Sequence, residues 1–92
     1  MAASSEIVIR NKVGLHARPA AQFVKTAARF KSSITVANLS KGTPPANAKS
    51  ILSVLTAAVQ MNDRIRLNAD GADEAEAVAA LCVLIDTNFG EP

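Results

Sequence analysis

A two-residue alternation limits this chain more than any other feature. In Asp63-Arg64-Ile65-Arg66-Leu67-Asn68-Ala69, Ile65 and Leu67 face one way and Arg64, Arg66 and Asn68 the other. A strand with one apolar and one polar side belongs in an antiparallel sheet that meets water on a single face. Ser33-Ile34-Thr35-Val36-Ala37-Asn38-Leu39 repeats the pattern through Ile34 and Val36, and Glu6-Ile7-Val8-Ile9-Arg10 repeats it through Ile7 and Ile9. Lys41-Gly42-Thr43-Pro44-Pro45 has turn and edge chemistry, with a short third strand only weakly signalled there.

Helical periods separate these strands. Ala17 to about Arg29 sets Ala20, Phe23, Val24 and Ala27 at core spacing, and Arg18, Gln22, Lys25 and Arg29 form a mostly basic stripe opposite. Ser50 to about Ala58 reads as a short helix that Ser50 caps. Within it Ile51, Leu52 and Leu55 cluster beside Val54 and Val59, more apolar residues than one core-facing stripe needs, so some should face solvent. Asp70-Gly71-Ala72-Asp73 reads as a cap with an acid three residues on, opening a last helix that Glu74 and Glu76 favour and that runs to about Asn88 before Gly90. The expected architecture is an α+β open-faced sandwich, with a four-stranded antiparallel sheet and three helices on one face, in the order β-α-β-β-α-β-α.

A chain of 92 residues is expected to form one domain, 1–92, with a single two-layer core and no room for a separate catalytic cleft. Partners must then bring most of any chemistry. The single cysteine, Cys82, forms no intrachain disulfide and suits a reducing cytoplasm. Met1 to Glu6 does not read as a signal peptide, and the longest apolar run, Ala77 to Ile85, is too short to span a bilayer. Neither metal nor cofactor is expected, because one histidine and one distant cysteine do not make a ligand cluster and no Walker loop is present. An RNA-binding module fits the α+β layout, yet the chain has three Phe and no Tyr or Trp, and its strands offer nothing for base stacking. Charge is unevenly spread: residues 1–50 hold eight Lys or Arg against one acid, residues 51–92 two against seven. A basic half around the site would steer an acidic partner or a phosphate toward it.

The stretch that concentrates chemistry is Gly14-Leu15-His16-Ala17-Arg18-Pro19-Ala20, a tight loop running into a helix. Gly14 lets the backbone bend, and Pro19 fits a first helical turn, where its missing N–H costs nothing. His16, the only histidine, then stands at the helix N-terminus with the amides of Ala17 and Arg18 beside it. A helix start binds phosphate, and here a ring nitrogen able to act as nucleophile stands where the anion would lie. Arg18 adds a guanidinium for the transferred oxygens.

Asn11-Lys12-Val13-Gly14-Leu15-His16-Ala17-Arg18-Pro19-Ala20 resembles the active-site signature of HPr, the phosphocarrier family of the bacterial phosphoenolpyruvate-dependent sugar phosphotransferase system. The likeness continues through Asn47-Ala48-Lys49-Ser50-Ile51-Leu52 and Ala69-Asp70-Gly71-Ala72-Asp73-Glu74-Ala75. It implies a cytoplasmic carrier that takes a phosphoryl group on His16 from phosphorylated enzyme I and passes it to an enzyme IIA. Arg18 and the amides of Ala17 and Arg18 would hold that group, and Gln22, Lys25, Ile51, Leu52 and Leu55 would meet partners. Ser50 matches the serine that an HPr kinase/phosphorylase modifies where that enzyme exists. A carrier of the nitrogen-related regulatory branch shares the histidine and is the alternative within the family. The segment between His16 and Ser50 is about three residues longer than is usual in the family; it is expected to alter the sheet edge and not the site.

Overall fold

The computed structural model describes residues 2–90; Met1, Glu91 and Pro92, the ends of the expected 1–92 domain, lie outside the described residues. The elements are β1 (Ala2–Val8), α1 (Ala17–Ala27), β2 (Ser33–Asn38), β3 (Ala46–Asn47), α2 (Ile51–Thr56), β4 (Arg64–Asp70) and α3 (Glu74–Asp86), followed by one 3-10 turn at Asn88–Gly90. The strands form one sheet in the order β1-β4-β2-β3, antiparallel at every step. β1 and β2 are therefore parallel with β4 between them, and β3 and β4 are parallel around β2. Two crossing β-α-β units thus interlock, and the strand with the cleanest alternation sits at the centre.

Register follows the alternation. Ile65 faces Ile7 across β1 and β4, and Leu67 faces Val36 across β2 and β4. Ile65 and Leu67 are fully buried, under Phe23, Leu15, Ile9, Ile34 and Leu81. On the wet face Glu6 opposes Arg66, and the two make an exposed ion pair at 2.9 Å. α3 packs over β1 and β4, and α1 contacts both other helices.

Among the boundaries that differ from the sequence expectation are four, at three of which a tertiary contact wins over local pattern. β1 begins at Ala2 because Ala2 and Ala3 find partners in Asp70 and Ala69. Past Val8, Ile9 still exchanges bonds with Asp63 (2.9 Å) and Asn62 (2.6 Å) as it turns toward the core. α2 stops at Thr56, so Val59 belongs to the loop that follows and not to the helix. α3 stops at Asp86, after which Asn88 and Phe89 take positive φ (52° and 58°) and swing the Phe89 ring into the core, 3% exposed.

The α3 start is the fourth. Its N-cap is Asp73, whose carboxylate does not bond its own helix. It accepts the amides of Lys31 (2.8 Å) and Ser32 (2.9 Å) and the Ser32 hydroxyl, so it ties α3 to the α1–β2 loop. The expected box between Asp70 and Asp73 does not form; Glu74 Oε1 instead accepts the Gly71 amide at 3.2 Å. Ser50 behaves as expected, its hydroxyl accepting the Ser53 amide at 3.3 Å.

Candidate functional site

The loop from Ile9 to His16 is closed by its own polar groups. The Gly14 amide bonds the Asn11 carbonyl (3.2 Å), and the buried Asn11 side chain donates Nδ2 to the Gly14 carbonyl (2.9 Å). The Leu15 amide reaches the Val59 carbonyl at 3.0 Å, which sets the loop directly on the segment after α2. Gly14 is required there: it has φ +63°, and a Cβ would overlap the Val59 carbonyl oxygen and come within 2.8 Å of Gln60 Cα. With Leu15 anchored in the core at 2% exposure, the next side chain, His16, is turned out to solvent.

His16 is the N-cap of α1, in extended geometry (φ −140°, ψ 157°). Its ring does not cap the helix, and the first turn contains no acid. The first-turn amides of a helix have no acceptor within it, so α1 opens onto solvent with its donors unclaimed by any side chain among the described residues. Ala17 takes φ +50°, a left-handed conformation that costs an alanine roughly 1 kcal/mol. The strained residue lies between the histidine and Arg18, which is exposed, and Pro19 is buried beneath them.

Val13, Leu15, His16, Leu55, Ala58, Val59 and Gln60 line a shallow depression of about 460 Å³. Leu55 therefore shares a surface with the histidine. Ile51 (41% exposed) and Leu52 (73%) project from the same short helix outside that lining, and Val54 is fully buried. Gln22, half-buried, and Lys25, exposed, lie further down α1, with Arg29 beyond them. Val13, Ala58 and Gln60 had no periodic signal and were not foreseen; their place beside His16 follows from the Leu15–Val59 bond.

The basic half of the sequence does not all reach this surface. Lys49 Nζ is bound to the Phe30 carbonyl (2.7 Å), and Lys41 Nζ is held by groups of the α2–β4 loop. Among the described residues, no group of His, Cys, Asp and Glu could hold a metal ion, and no helix is long and apolar enough to cross a membrane.

Residues 3–87 match the family model described as the PTS HPr component phosphorylation site. The chain belongs to the HPr family. It is 46% identical to the phosphocarrier protein HPr of Neisseria meningitidis serogroup A, over 92% of each chain. It is 42% identical to the multiphosphoryl transfer protein of Escherichia coli O157:H7 over 96% of its own length, and spans 23% of that larger protein. The HPr fold is equally clear. A crystal structure of HPr from Thermoanaerobacter tengcongensis superposes with a TM-score of 0.92 at 44% identity, covering 98% of both chains. The expected α+β open-faced sandwich is thus the family's own architecture.

Proposed function

We propose that this chain, acting as a single HPr domain in the cytoplasm, carries phosphoryl groups in the phosphoenolpyruvate-dependent sugar phosphotransferase system. A ring nitrogen of His16, Nδ1 by family resemblance, attacks the phosphorus of phosphorylated enzyme I. The N–P bond to His16 forms as the donor's bond to phosphorus breaks. A histidine of an enzyme IIA then takes the group, and His16 is regenerated. The observation that carries this reading is the position of the only histidine, exposed at the start of a helix whose first-turn donors are capped by no side chain among the described residues. Arg18 and the amides of Ala17 and Arg18 stabilise the phosphoryl oxygens. A helix start contributes roughly 0.3–1 kcal/mol to a bound anion, enough to hold the group and too little to trap it.

Leu55 in the depression and the exposed Ile51 and Leu52 offer an apolar docking surface, with Gln22 and Lys25 on the α1 side. Ser50 is the proposed substrate of an HPr kinase/phosphorylase. A phosphate there would sit at the start of α2 and place negative charge next to Ile51, against an acidic partner. The deciding experiment is incubation with phosphoenolpyruvate and enzyme I. One acid-labile phosphate is expected on the wild type and none on a folded His16→Ala variant; full labelling of that variant would remove His16 from the mechanism.

A further inference from the structure

The β2–β3 loop, part of the longer His16–Ser50 segment expected to affect only the sheet edge, holds two residues of the depression from behind through Lys41. Its ammonium donates to the Ala58 carbonyl (2.6 Å), Gln60 Oε1 (3.0 Å) and Asp63 Oδ2 (2.8 Å), so all three donors are used on one loop. Asp63 is the hub of that loop. Its Oδ2 also accepts the Gln60 amide (3.0 Å) and Asn38 Nδ2 (2.9 Å), and the Lys41 contact, ahead of these, holds its carboxyl down at about 2. Asn38, fully buried at the end of β2, gives the same Nδ2 to the Ala57 carbonyl (3.0 Å), accepts the Lys41 amide (3.2 Å) and fixes Thr43.

The segment so gripped is the one that meets His16. Ala58 and Gln60 line the depression with the histidine, and Val59, between them, accepts the Leu15 amide. Ala58 and Asn62 have positive φ (51° and 76°), conformations that need outside contacts to persist. Charge-assisted bonds from an ammonium are among the stronger ways to supply them.

Resting on the phosphocarrier reading, we infer that Lys41 is a positioning residue for phosphotransfer: it holds the Ala57–Asp63 loop in the shape that sets Leu15, and hence His16, at the start of α1. Lys41 itself does not touch the transferred group. Loss of its charge acts on the loop, and the loop acts on the histidine.

The test compares wild type with Lys41→Met, Lys41→Arg and, as a second way to empty the hub, Asp63→Asn. Transfer from phosphorylated enzyme I is followed at low and high salt, together with hydrogen exchange of the Leu15 amide. Arg66→Met, which removes the distant ion pair with Glu6, is the control. Lys41→Met and Asp63→Asn should speed Leu15 exchange and slow transfer, each by about five- to tenfold, with Lys41→Arg closer to wild type and Arg66→Met unchanged. The slowing should survive high salt, because it comes from geometry and not from steering. Unaltered Leu15 exchange, or a transfer defect that vanishes on screening, overturns the inference. Failure of the wild type to accept phosphate would refute the phosphocarrier reading instead, and Leu15 exchange would still report whether Lys41 holds the loop.

Discussion

The starts of α1 and α3 present the same electrostatic problem and resolve it in opposite ways. α3 carries Glu74 and Glu76 in its first turn, and its cap, Asp73, is fastened to Lys31 and Ser32 of another loop. Its positive end is answered from within the chain. α1, whose cap like that of α3 makes no bond to its own helix, has in addition no acid in its first turn and a first residue in a left-handed conformation. Helices commonly gain stability from caps and first-turn acids; α1 goes without both. What the difference teaches is that the open start is specific to the end bearing His16 and not a general looseness of the fold, since α3 has acids in its first turn and α2 is capped by Ser50.

Three changes break or sharpen this contrast. The largest effect is expected from Gly14→Ala, which forces a Cβ into the Val59 carbonyl and puts an alanine at φ +63°. It should cost about 2–4 kcal/mol in urea unfolding and displace the His16 loop, slowing labelling in whatever fraction remains folded. Stability near that of wild type would mean the loop does not depend on its approach to Val59.

The next bears on the α3 side. The Ser32 hydroxyl, followed by the Lys31 and Ser32 amides, lowers the Asp73 carboxyl from 3.8 to about 2. A carboxyl lowered on folding contributes stability that is complete above its unfolded value and is lost as pH falls through its folded one. The urea midpoint should therefore drop as pH goes from 3.8 toward 2, with Asp63, lowered by its Lys41 contact, titrating in the same window. Asp73→Asn should flatten part of that drop and leave phosphotransfer at neutral pH alone. An unchanged acid profile would deny Asp73 its role as the tie.

The smallest change converts one start into the other. His16→Asp supplies α1 with an acidic cap and should raise stability by about 1 kcal/mol, while eliminating phosphate acceptance. Thermal unfolding and labelling of the same sample measure both. A destabilised variant would show that the left-handed Ala17 prevents capping, and that α1 is open because of its backbone and not because of its residue at the cap.

Much of this was readable in one dimension. Strict alternation around Ile65 and Leu67 required a half-wet sheet with helices on a single side, because a period of two sends every second side chain to the same face. Gly14, His16, Arg18 and Pro19, in that order, announced a loop entering a helix with the one histidine at its start, since glycine and proline act on the backbone locally. Ser50 marked its own helix start for the same reason. Asp70 reads as the α3 cap and Asp73 as the acid of its box, whereas the cap is Asp73, because local pattern does not reveal the amides of Lys31 and Ser32 that claim its carboxylate.

The sequence by itself thus determined the elements, their faces and the place of the one histidine at a helix start, all of which depend on neighbours within a few positions. Tertiary structure alone decided what stands next to that side chain. Val59 takes the Leu15 amide, Ala58 and Gln60 line the depression at His16, and Lys41 holds both residues from the other side. The physical reason is that these are hydrogen bonds between loops, carried largely by carbonyls and amides every residue possesses, and no choice of side chain records where such a backbone will end up.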